Sequence, residues 1–287
     1  MKYRHIILGG TGHIGSALAD TLLSAGETVM VIGHDPKKGE HWTAKGAGFE
    51  VADILDSSRL HELFGRGERL FILNPPAPPS TDTVAEETKS MSAIINALQD
   101  TKPEKIVAAS TYGAQPGDQL GDLGVLYQME QQLASLQTPQ AVIRSAYYMS
   151  NWDMALSTIK ESGMLPTLYP PGFKLPMVAP ADIGKFAATL MLNDETGLHF
   201  IEGPEPYSPD DVATAFGEAF NKTVTVATTP EDEWQDALEK AGFSAPAATS
   251  MANVTRITKT MLQNGYKAPN PHRGQTTLRD YIKKLAE

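Results

Sequence analysis

Cysteine is absent from this chain of 287 residues. Its absence excludes disulfide bonds, a thiol nucleophile and zinc sites built from thiolates. Long apolar runs are absent as well, since no stretch approaches the ~18 apolar residues that a membrane-spanning helix requires. Nor does an apolar segment typical of a secretory signal follow Met1 to His5. We therefore expect a soluble, cytoplasmic protein with no membrane partner.

Basic residues are outnumbered, because Lys and Arg total 24 while Asp and Glu total 34, and the formal net charge is −10. An acidic surface repels phosphate backbones, so nucleic acid is not an expected partner. The seven histidines show no spacing typical of a metal site, and we expect none. Apolar residues, at 41%, are sufficient for a full core. The length allows one large domain or a domain with a smaller lobe added.

Short apolar runs alternate with helix-period patterns through the first half of the chain. The apolar runs predict strands at residues 6–8, 29–32, 49–51, 70–73, 106–109 and 141–143. Apolar positions spaced three and four residues apart predict helices at 14–25, 84–98 and 126–136. Parallel strands need crossover connections, so this alternation predicts an α/β fold with a doubly wound parallel sheet, the Rossmann arrangement.

The pattern changes after Arg144. The sequence then predicts a helix through residues 152–156, a long ordered loop at 164–180, a helix at 183–190, a strand at 198–201 and a final helix at 278–285. The loop prediction rests on the five prolines of that segment. Ser208 and Thr229 each precede a proline and nearby carboxylates, which is typical of a helix start.

A glycine-rich loop follows the first strand and opens the first helix. Gly9, Gly10, Gly12 and Gly15 satisfy both the G-x-G-x-x-G and the G-x-x-G-x-x-G spacing. Such glycines allow a tight turn, a close approach of the backbone to a pyrophosphate, and close packing of helix on strand. The helix N-terminus offers free N–H groups to the phosphates. The loop therefore predicts binding of a nicotinamide dinucleotide, with Thr11, His13 and Ile14 among the contacting residues.

The segment after the second strand leaves the choice of dinucleotide open. Asp35 stands 20 residues after the last glycine of the loop, where a carboxylate could hold a ribose 2′-hydroxyl and favour NAD. His34, Lys37 and Lys38 could instead surround a 2′-phosphate and favour NADP. Asp53, after the third strand, either meets the adenine ring or caps a turn.

The domain boundaries follow from these patterns. Residues 1–150 are predicted to form an NAD(P)-binding Rossmann domain, and residues 151–287 a smaller α+β substrate lobe. A segment near 175–203, with its helix and strand, is predicted to return to the Rossmann sheet.

Ligands of doubly wound sheets bind beyond the carboxyl ends of the strands. Asn74 and Pro75 follow the fourth strand, so we predict that they line the nicotinamide pocket. Ser110 ends the fifth strand, so for the same reason we predict that it lines the pocket. After the sixth strand, a group of flat and polar side chains forms either an aromatic wall for a flat substrate or part of the core: Tyr147, Tyr148, Asn151 and Trp152.

Together these residues resemble the NmrA-like branch of the atypical short-chain dehydrogenase/reductases. The similarity covers most of the chain and rests chiefly on the glycine loop. Supporting matches are the segments His34-Asp35-Pro36, Val51-Ala52-Asp53 and Asp182-Ile183-Gly184, with Ser110 and Arg144. The branch includes NADPH-dependent quinone reductases and catalytically silent redox-sensing regulators, so the resemblance implies a Rossmann fold and one of these two functions.

Two departures from the family pattern affect the expected chemistry. His34 stands where the family usually has an arginine, which bears on NADP preference. The wider superfamily uses a serine and a Tyr-x-x-x-Lys motif, to which Ser110, Tyr127 and Gln131 correspond here. The lysine lowers the tyrosine pKa by its charge, whereas glutamine only offers a hydrogen bond to the ribose. The resemblance therefore implies either a reductase of activated acceptors or two helix residues without a catalytic role.

We expect an NAD(P)H-dependent oxidoreductase that reduces a small quinone or carbonyl compound, with NADP as cofactor and NAD as the alternative. The second hypothesis is a non-catalytic dinucleotide sensor that acts through a regulatory protein partner. The predicted catalytic residues are Ser110, Tyr127 and Gln131. The predicted cofactor-binding residues are Gly9, Thr11, Gly12, His13, Ile14, Gly15, His34, Asp35, Lys38, Asp53, Asn74 and Pro75.

Overall fold

The computed structural model describes residues 2–287, which form thirteen strands and eleven α-helices. The strands are β1 (Tyr3–Leu8), β2 (Val29–Gly33), β3 (Gly48–Val51), β4 (Gly67–Ile72), β5 (Lys105–Thr111), β6 (Gln140–Ser145), β7 (Tyr147–Tyr148), β8 (Met164–Thr167), β9 (Leu175–Val178), β10 (Gly197–Glu202), β11 (Pro206–Tyr207), β12 (Thr225–Thr228) and β13 (His272–Arg273). The helices are α1 (His13–Ser24), α2 (Gly39–Ala44), α3 (Ser57–Phe64), α4 (Thr83–Leu98), α5 (Gly121–Ala134), α6 (Leu156–Ser162), α7 (Pro180–Leu192), α8 (Pro209–Phe220), α9 (Trp234–Lys240), α10 (Ala245–Gln263) and α11 (Leu278–Ala286).

An eight-stranded sheet forms the centre of the molecule. Its strand order is β13-β10-β6-β5-β4-β1-β2-β3, and every neighbouring pair is parallel. The order reverses between β1 and β4, and in open sheets of this kind ligands bind in the crevice at that point. The predicted Rossmann fold is confirmed. Gly9 and Leu73, the first residues after β1 and β4, stand on either side of this crevice.

Helices cover both faces of the sheet because its central strands contain buried apolar runs. Helices α1 and α7 pack on one face, and α3, α4 and α5 on the other. Helix α7 lies very close to α1, since a Cβ on Gly184 would overlap the Ile14 carbonyl oxygen and lie 2.8 Å from Leu18 N. Glycine at this position therefore permits the packing that brings the later helix onto the first βα unit.

Two buried cations from the first half of the chain bind the end of α7. Lys105 Nζ donates to Leu190 O at 2.5 Å and to Asn193 O at 3.1 Å. Arg69 Nη1 donates to Met191 O at 3.0 Å. Positive charge at the carboxyl end of a helix pairs with its free carbonyls and its dipole, so these contacts stabilise α7 on the sheet.

The segment 164–180 is partly wrong as a predicted loop, because it contains β8 and β9. β8 pairs with β12, while β9 pairs with β7 and β11, so both strands belong to small sheets of two or three strands. Such short ladders tolerate Pro166 and Pro176, which cannot donate backbone hydrogen bonds.

The two predicted helix starts have different outcomes. Ser208 is confirmed, since its hydroxyl accepts from Asp211 N at 3.3 Å and its own N donates to Asp211 Oδ2 at 2.7 Å. Thr229 is wrong as a cap, because the short 3-10 helix that follows begins after Pro230 with no side-chain cap. The Thr229 carbonyl instead accepts from Trp234 Nε1 at 3.0 Å.

The lobe outside the sheet has its own apolar core, built around Trp152, Ile159, Leu175 and Phe216. Helix α10, which the sequence patterns do not predict, reaches from this lobe to α4 and α5. Within residues 2–287, no helix combines the length and apolarity needed to cross a membrane.

Candidate functional site

The glycine loop forms a tight cradle at the start of α1. Gly12 N donates to Gly9 O at 3.0 Å, and Gly9 has a φ of 71°, which favours glycine. A Cβ on Gly15 would overlap the Gly9 carbonyl oxygen and lie 2.6 Å from Gly10 Cα. Among residues 2–287, no side chain caps the N-terminus of α1. Its free N–H groups and this narrow backbone cradle fit a pyrophosphate.

Lys38 reaches the glycine loop from the segment after β2. Its Nζ donates to Thr11 O at 3.2 Å, while His34 is exposed at the end of that strand. Asp35 caps the short 3-10 helix Pro36–Lys38, since its Oδ1 accepts from Lys37 N at 2.9 Å. The Lys38 ammonium therefore lies on the glycine loop, whereas the Asp35 carboxylate is already bonded to the backbone of Lys37. A free cation beside a bonded carboxylate favours a 2′-phosphate over a bare ribose hydroxyl.

Asp53 follows β3 and is exposed. Its Oδ1 accepts from Leu55 N at 2.9 Å, so the carboxylate closes the local turn. Of the two predicted roles of Asp53, the structure shows the turn. The adenine contact stays a prediction.

Asn74 has a fixed orientation after β4. Its Nδ2 donates to Glu87 O at 3.0 Å, and its Oδ1 accepts from Ser90 Oγ at 2.8 Å. Glu87 also holds the loop itself, because its Oε1 accepts from Ala77 N at 3.0 Å. Glu87 is only 7% exposed, and this burial raises its pKa to about 7 against the opposing effect of the Ala77 bond. The loop that carries Asn74 and Pro75 is therefore anchored from α4.

The other end of this loop is fixed to α10. Ser244, which caps α10, donates from its N to Pro79 O at 2.9 Å and from its Oγ to Thr81 O at 2.6 Å. The proline-rich segment 74–82 thus connects the carboxyl edge of β4 to the start of α10.

Ser110 is fully buried at the end of β5, and its hydroxyl donates to Glu130 on α5. Arg144 on β6 binds the same carboxylate, with Nε 2.9 Å from Oε1 and Nη2 2.7 Å from Oε2. The Ser110 hydroxyl proton is already hydrogen-bonded to Glu130. Ser110, Arg144 and Glu130 therefore connect α5 to the sheet.

Tyr127 and Gln131 lie one turn apart on α5. Tyr127 is half-buried and lies three residues before Glu130, the carboxylate that binds Ser110 and Arg144. Gln131 is exposed, and its side chain has no hydrogen bond within the part of the chain that the structure describes. The structure therefore leaves Gln131 on the surface.

Of the aromatic residues after β6, some are buried in the core and others are partly exposed, as the wall of a substrate pocket would be. Trp152 is buried, whereas Tyr147 and Tyr148 are partly open. The Tyr147 ring centroid is 5.9 Å from that of Trp152 and 6.0 Å from that of Tyr169. Burial raises the pKa of Tyr147 and of Tyr148 to about 12, so both phenols stay protonated at neutral pH and can donate hydrogen bonds.

Asp122, in the first turn of α5, is a further carboxylate on this side of the sheet. Its side chain is exposed, and desolvation by the neighbouring elements raises its pKa against the opposing hydrogen bonds from the backbone N–H groups of Leu123 and of Asp122 itself. Sequence reasoning missed both Asp122 and Glu87, because neither belongs to a motif. Residues 2–287 contain no cluster of carboxylates and histidines suited to a metal ion.

One hydrogen bond joins two elements within the lobe. Asp153, in the 3-10 helix Met149–Ala155, accepts from Tyr281 OH of α11 at 2.8 Å. Burial raises the pKa of Asp153, and the hydrogen bond from Tyr281 opposes that shift.

A sequence model of the NmrA-like family matches residues 1–267. Among curated proteins, NAD(P)H azoreductase from Xenophilus azovorans is 21% identical over 248 residues, which are 86% of this chain and 84% of that protein.

Two solved structures share the fold over almost the full length of both chains. Triphenylmethane reductase from Citrobacter sp., complexed with NADP(H), superposes with a TM-score of 0.80 at 17% identity and covers 98% of this chain and 99% of its own. NADPH-dependent quinone oxidoreductase from Escherichia coli, complexed with NADPH, gives 0.75 at 18% identity and covers 99% and 100%. The match of the family model over nearly the whole sequence shows that this chain belongs to the NmrA-like family.

Proposed function

We propose that this protein is an NAD(P)H-dependent oxidoreductase that reduces a small quinone or carbonyl compound. The observation that carries the proposal is the glycine cradle at the uncapped N-terminus of α1, which opens at the strand-order reversal of the sheet. Membership of the family and the reductases named above support it. We place this activity in the cytoplasm.

Residues 1–150 provide the dinucleotide site in this proposal, and residues 151–287 cover it. Gly9, Thr11, Gly12, His13, Ile14 and Gly15 bind the pyrophosphate. His34 and Lys38 take the 2′-phosphate of NADPH, since the Lys38 ammonium lies on the loop, while Asp35 and Asp53 shape the two turns beside the adenosine. NADH is the alternative cofactor.

Asn74 and Pro75 border the nicotinamide in this proposal. The bound dihydronicotinamide supplies the hydride, and the chain supplies orientation and hydrogen bonds. Asn74 suits orientation because both polar atoms of its amide are fixed by α4. Tyr147 and Tyr148 offer flat surfaces and phenolic donors to a flat acceptor.

The three predicted catalytic residues have separate roles in this proposal. Tyr127 is a hydrogen-bond donor to the acceptor, and Gln131 contacts the nicotinamide ribose. Ser110 acts as a positioning residue through Glu130, because its hydroxyl is buried and already bonded. The partly open aromatic side chains above the sheet favour an enzyme over a sensor, because a sensor needs no second small-molecule site.

The test is direct. Purified protein is titrated calorimetrically with NADPH and NADH, and NADPH absorbance is then followed with a quinone, an azo dye and a simple ketone. We expect NADPH binding and steady oxidation with at least one acceptor, fastest with the quinone. Tight NADPH binding without turnover of any acceptor would overturn the reductase in favour of the sensor.

A further inference from the structure

A second concave site lies between the loop that follows β5 and the carboxyl-terminal half of α10. A Cβ on Gly113 in this loop would lie 3.7 Å from Met261 Sδ of α10, so the two walls meet at that point. Arg144 of β6 and Tyr266, which follows α10, also line the site. The volume of this α10 pocket is about 620 Å³, which is within the range of small-molecule sites.

The charged residues that line the α10 pocket are both arginines. They are Arg144 and Arg256, and among residues 2–287 no carboxylate joins them in the lining. Arg256 and Lys259 share one carboxylate, since Glu231 Oε1 accepts from Arg256 Nε at 2.7 Å and Glu231 Oε2 accepts from Lys259 Nζ at 2.8 Å. This group of three side chains therefore keeps one positive charge, on a protein whose formal net charge is −10. A local positive field of this kind attracts an anion to the pocket.

Two hydrogen-bond donors of the pocket are free to bind such an anion. Glu130 accepts from Nε and Nη2 of Arg144, whereas Nη1 has no hydrogen bond to any residue that the structure describes. The Tyr266 hydroxyl likewise has no partner within residues 2–287. The bidentate contact with Glu130 fixes the plane of the guanidinium, and Tyr266 packs edge-to-face with the buried Tyr112, with 6.0 Å between the ring centroids. Both donors are therefore held in place before a ligand arrives.

The rest of the lining favours a ligand with a flat apolar body. Ala114, Ile257 and Met261 contribute apolar side chains, and Tyr266 contributes an aromatic ring. Flat apolar groups pack well against aromatic rings and against the adaptable thioether of methionine. A bare inorganic anion would leave these side chains in contact with water, so it would use only the polar part of the pocket.

We propose that the α10 pocket binds a small planar organic carboxylate. The carboxylate oxygens accept hydrogen bonds from Arg144 Nη1 and from the Tyr266 hydroxyl, and the apolar body packs against Ile257 and Met261. A carboxylate suits these two donors because charge-assisted hydrogen bonds are short and strong. Binding of this ligand requires neither NADPH nor turnover, so the site goes beyond the proposed function.

Calorimetric titration of the full chain with naphthoate, without NADPH, tests the proposal. We expect a dissociation constant below about 1 mM. Naphthamide, which has the same rings and no charge, should bind at least about tenfold more weakly. Tyr266→Phe removes only the hydroxyl and should weaken naphthoate binding by about fivefold. Tyr3→Phe is the control and should leave the affinity unchanged, because Tyr3 is also half-buried but begins β1 at the amino edge of the sheet.

A second pair of variants tests the charge. Thr260 is an exposed residue of α10 that lines the pocket. Thr260→Glu places a carboxylate there and should weaken naphthoate binding by about tenfold, because it repels the ligand and pairs with Arg256 one turn away. Thr260→Gln has nearly the same size without the charge and should stay within about twofold of the wild type.

No detectable binding of naphthoate up to about 10 mM, or equal affinities for naphthoate and naphthamide, would overturn the proposal. So would naphthoate binding that Tyr266→Phe and Thr260→Glu leave at wild-type strength, because the ligand would then occupy another site. Neither result bears on NADPH binding or on reductase activity, which are measured separately.

Discussion

The two carboxylate oxygens of Glu130 accept separate hydrogen bonds from Arg144, at 2.9 Å from Nε and 2.7 Å from Nη2. This bidentate pair joins α5 to β6. Since α5 also carries Tyr127, the pair sets the position of the residue to which we assign a hydrogen bond to the acceptor.

We expect Glu130→Gln to lower the free energy of unfolding by about 2–3 kcal/mol, because the Arg144 charge loses its partner. The value is below that of a fully buried pair, since Arg144 keeps some contact with water. Urea unfolding monitored by circular dichroism measures it. Gln128→Ala, at an exposed position of α5, is the control and should change stability by less than about 0.5 kcal/mol. Equal stability of Glu130→Gln and the wild type would contradict this account of the pair.

Two substitutions in the glycine loop should affect different properties, one the binding of NADPH and the other the stability of the fold. At Gly12 a Cβ meets only the Gly9 carbonyl oxygen, at 3.5 Å, and the backbone is extended. Gly12→Ala should therefore fold normally yet weaken NADPH binding by about tenfold or more, because its methyl group occupies the path of the pyrophosphate. Gly15→Ala should instead lower the melting temperature, because its Cβ overlaps the backbone of the loop. Calorimetry with NADPH and thermal unfolding separate the two, and unchanged affinity in Gly12→Ala would argue against this binding site.

Cofactor choice is tested at neighbouring lysines. Lys38→Ala removes the ammonium that lies on the Thr11 carbonyl and should weaken NADPH binding by about tenfold, with little effect on NADH. Lys37→Ala is the control, because Lys37 is exposed and only its backbone N–H bonds to Asp35. The measurement compares six dissociation constants, those of the wild type and of the two variants for each cofactor. Equal losses for the two cofactors would remove Lys38 from the 2′-phosphate site.

Glu87 should make stability depend on pH. Its pKa is raised from 4.5 to about 7 in the folded state, so the folded protein binds the extra proton more tightly than the unfolded chain does. Stability should therefore fall as pH rises from about 4.5 to 7, by about 3 kcal/mol at most. Glu87→Gln should abolish this loss and be more stable than the wild type at pH 8, while Glu86→Gln, at a half-exposed position next to it, should not. Urea unfolding at about pH 5 and 8 is the measurement, and a pH dependence that survives in Glu87→Gln would assign it to another group.

Local signals made most of the sheet predictable. The apolar runs that predict β1, β2 and β4–β6 are buried, as expected for parallel strands covered by helices on both faces. The glycine loop was equally predictable, because its spacing encodes backbone geometry within seven residues.

Long-range contacts explain what the sequence did not predict. Glu87 on α4 and Asp122 on α5 belong to no local motif, and the packing of α4 against α5 is set by contacts between distant parts of the chain. Ser110 looked like a catalytic hydroxyl, because the carboxylate that binds it is 20 residues away. The strands β8 and β9 escaped notice because proline is a strong local signal for a loop, whereas their pairing partners lie elsewhere in the chain.

Lys105 and Arg69 donate to carbonyls at the end of α7, so the part of the chain before residue 150 is bonded to a segment that follows it. A fragment cut there would lose α7 from one apolar face of the sheet and would leave the edge of β6 unpaired where β10 now lies. The cofactor-binding half therefore completes its fold only after the segment that contains α7 and β10 has been synthesised. A single genetic crossover near residue 150 that exchanged lobes between relatives would replace one partner of each of these bonds. We therefore expect the acceptor site to change more readily by point substitution than by exchange of whole lobes.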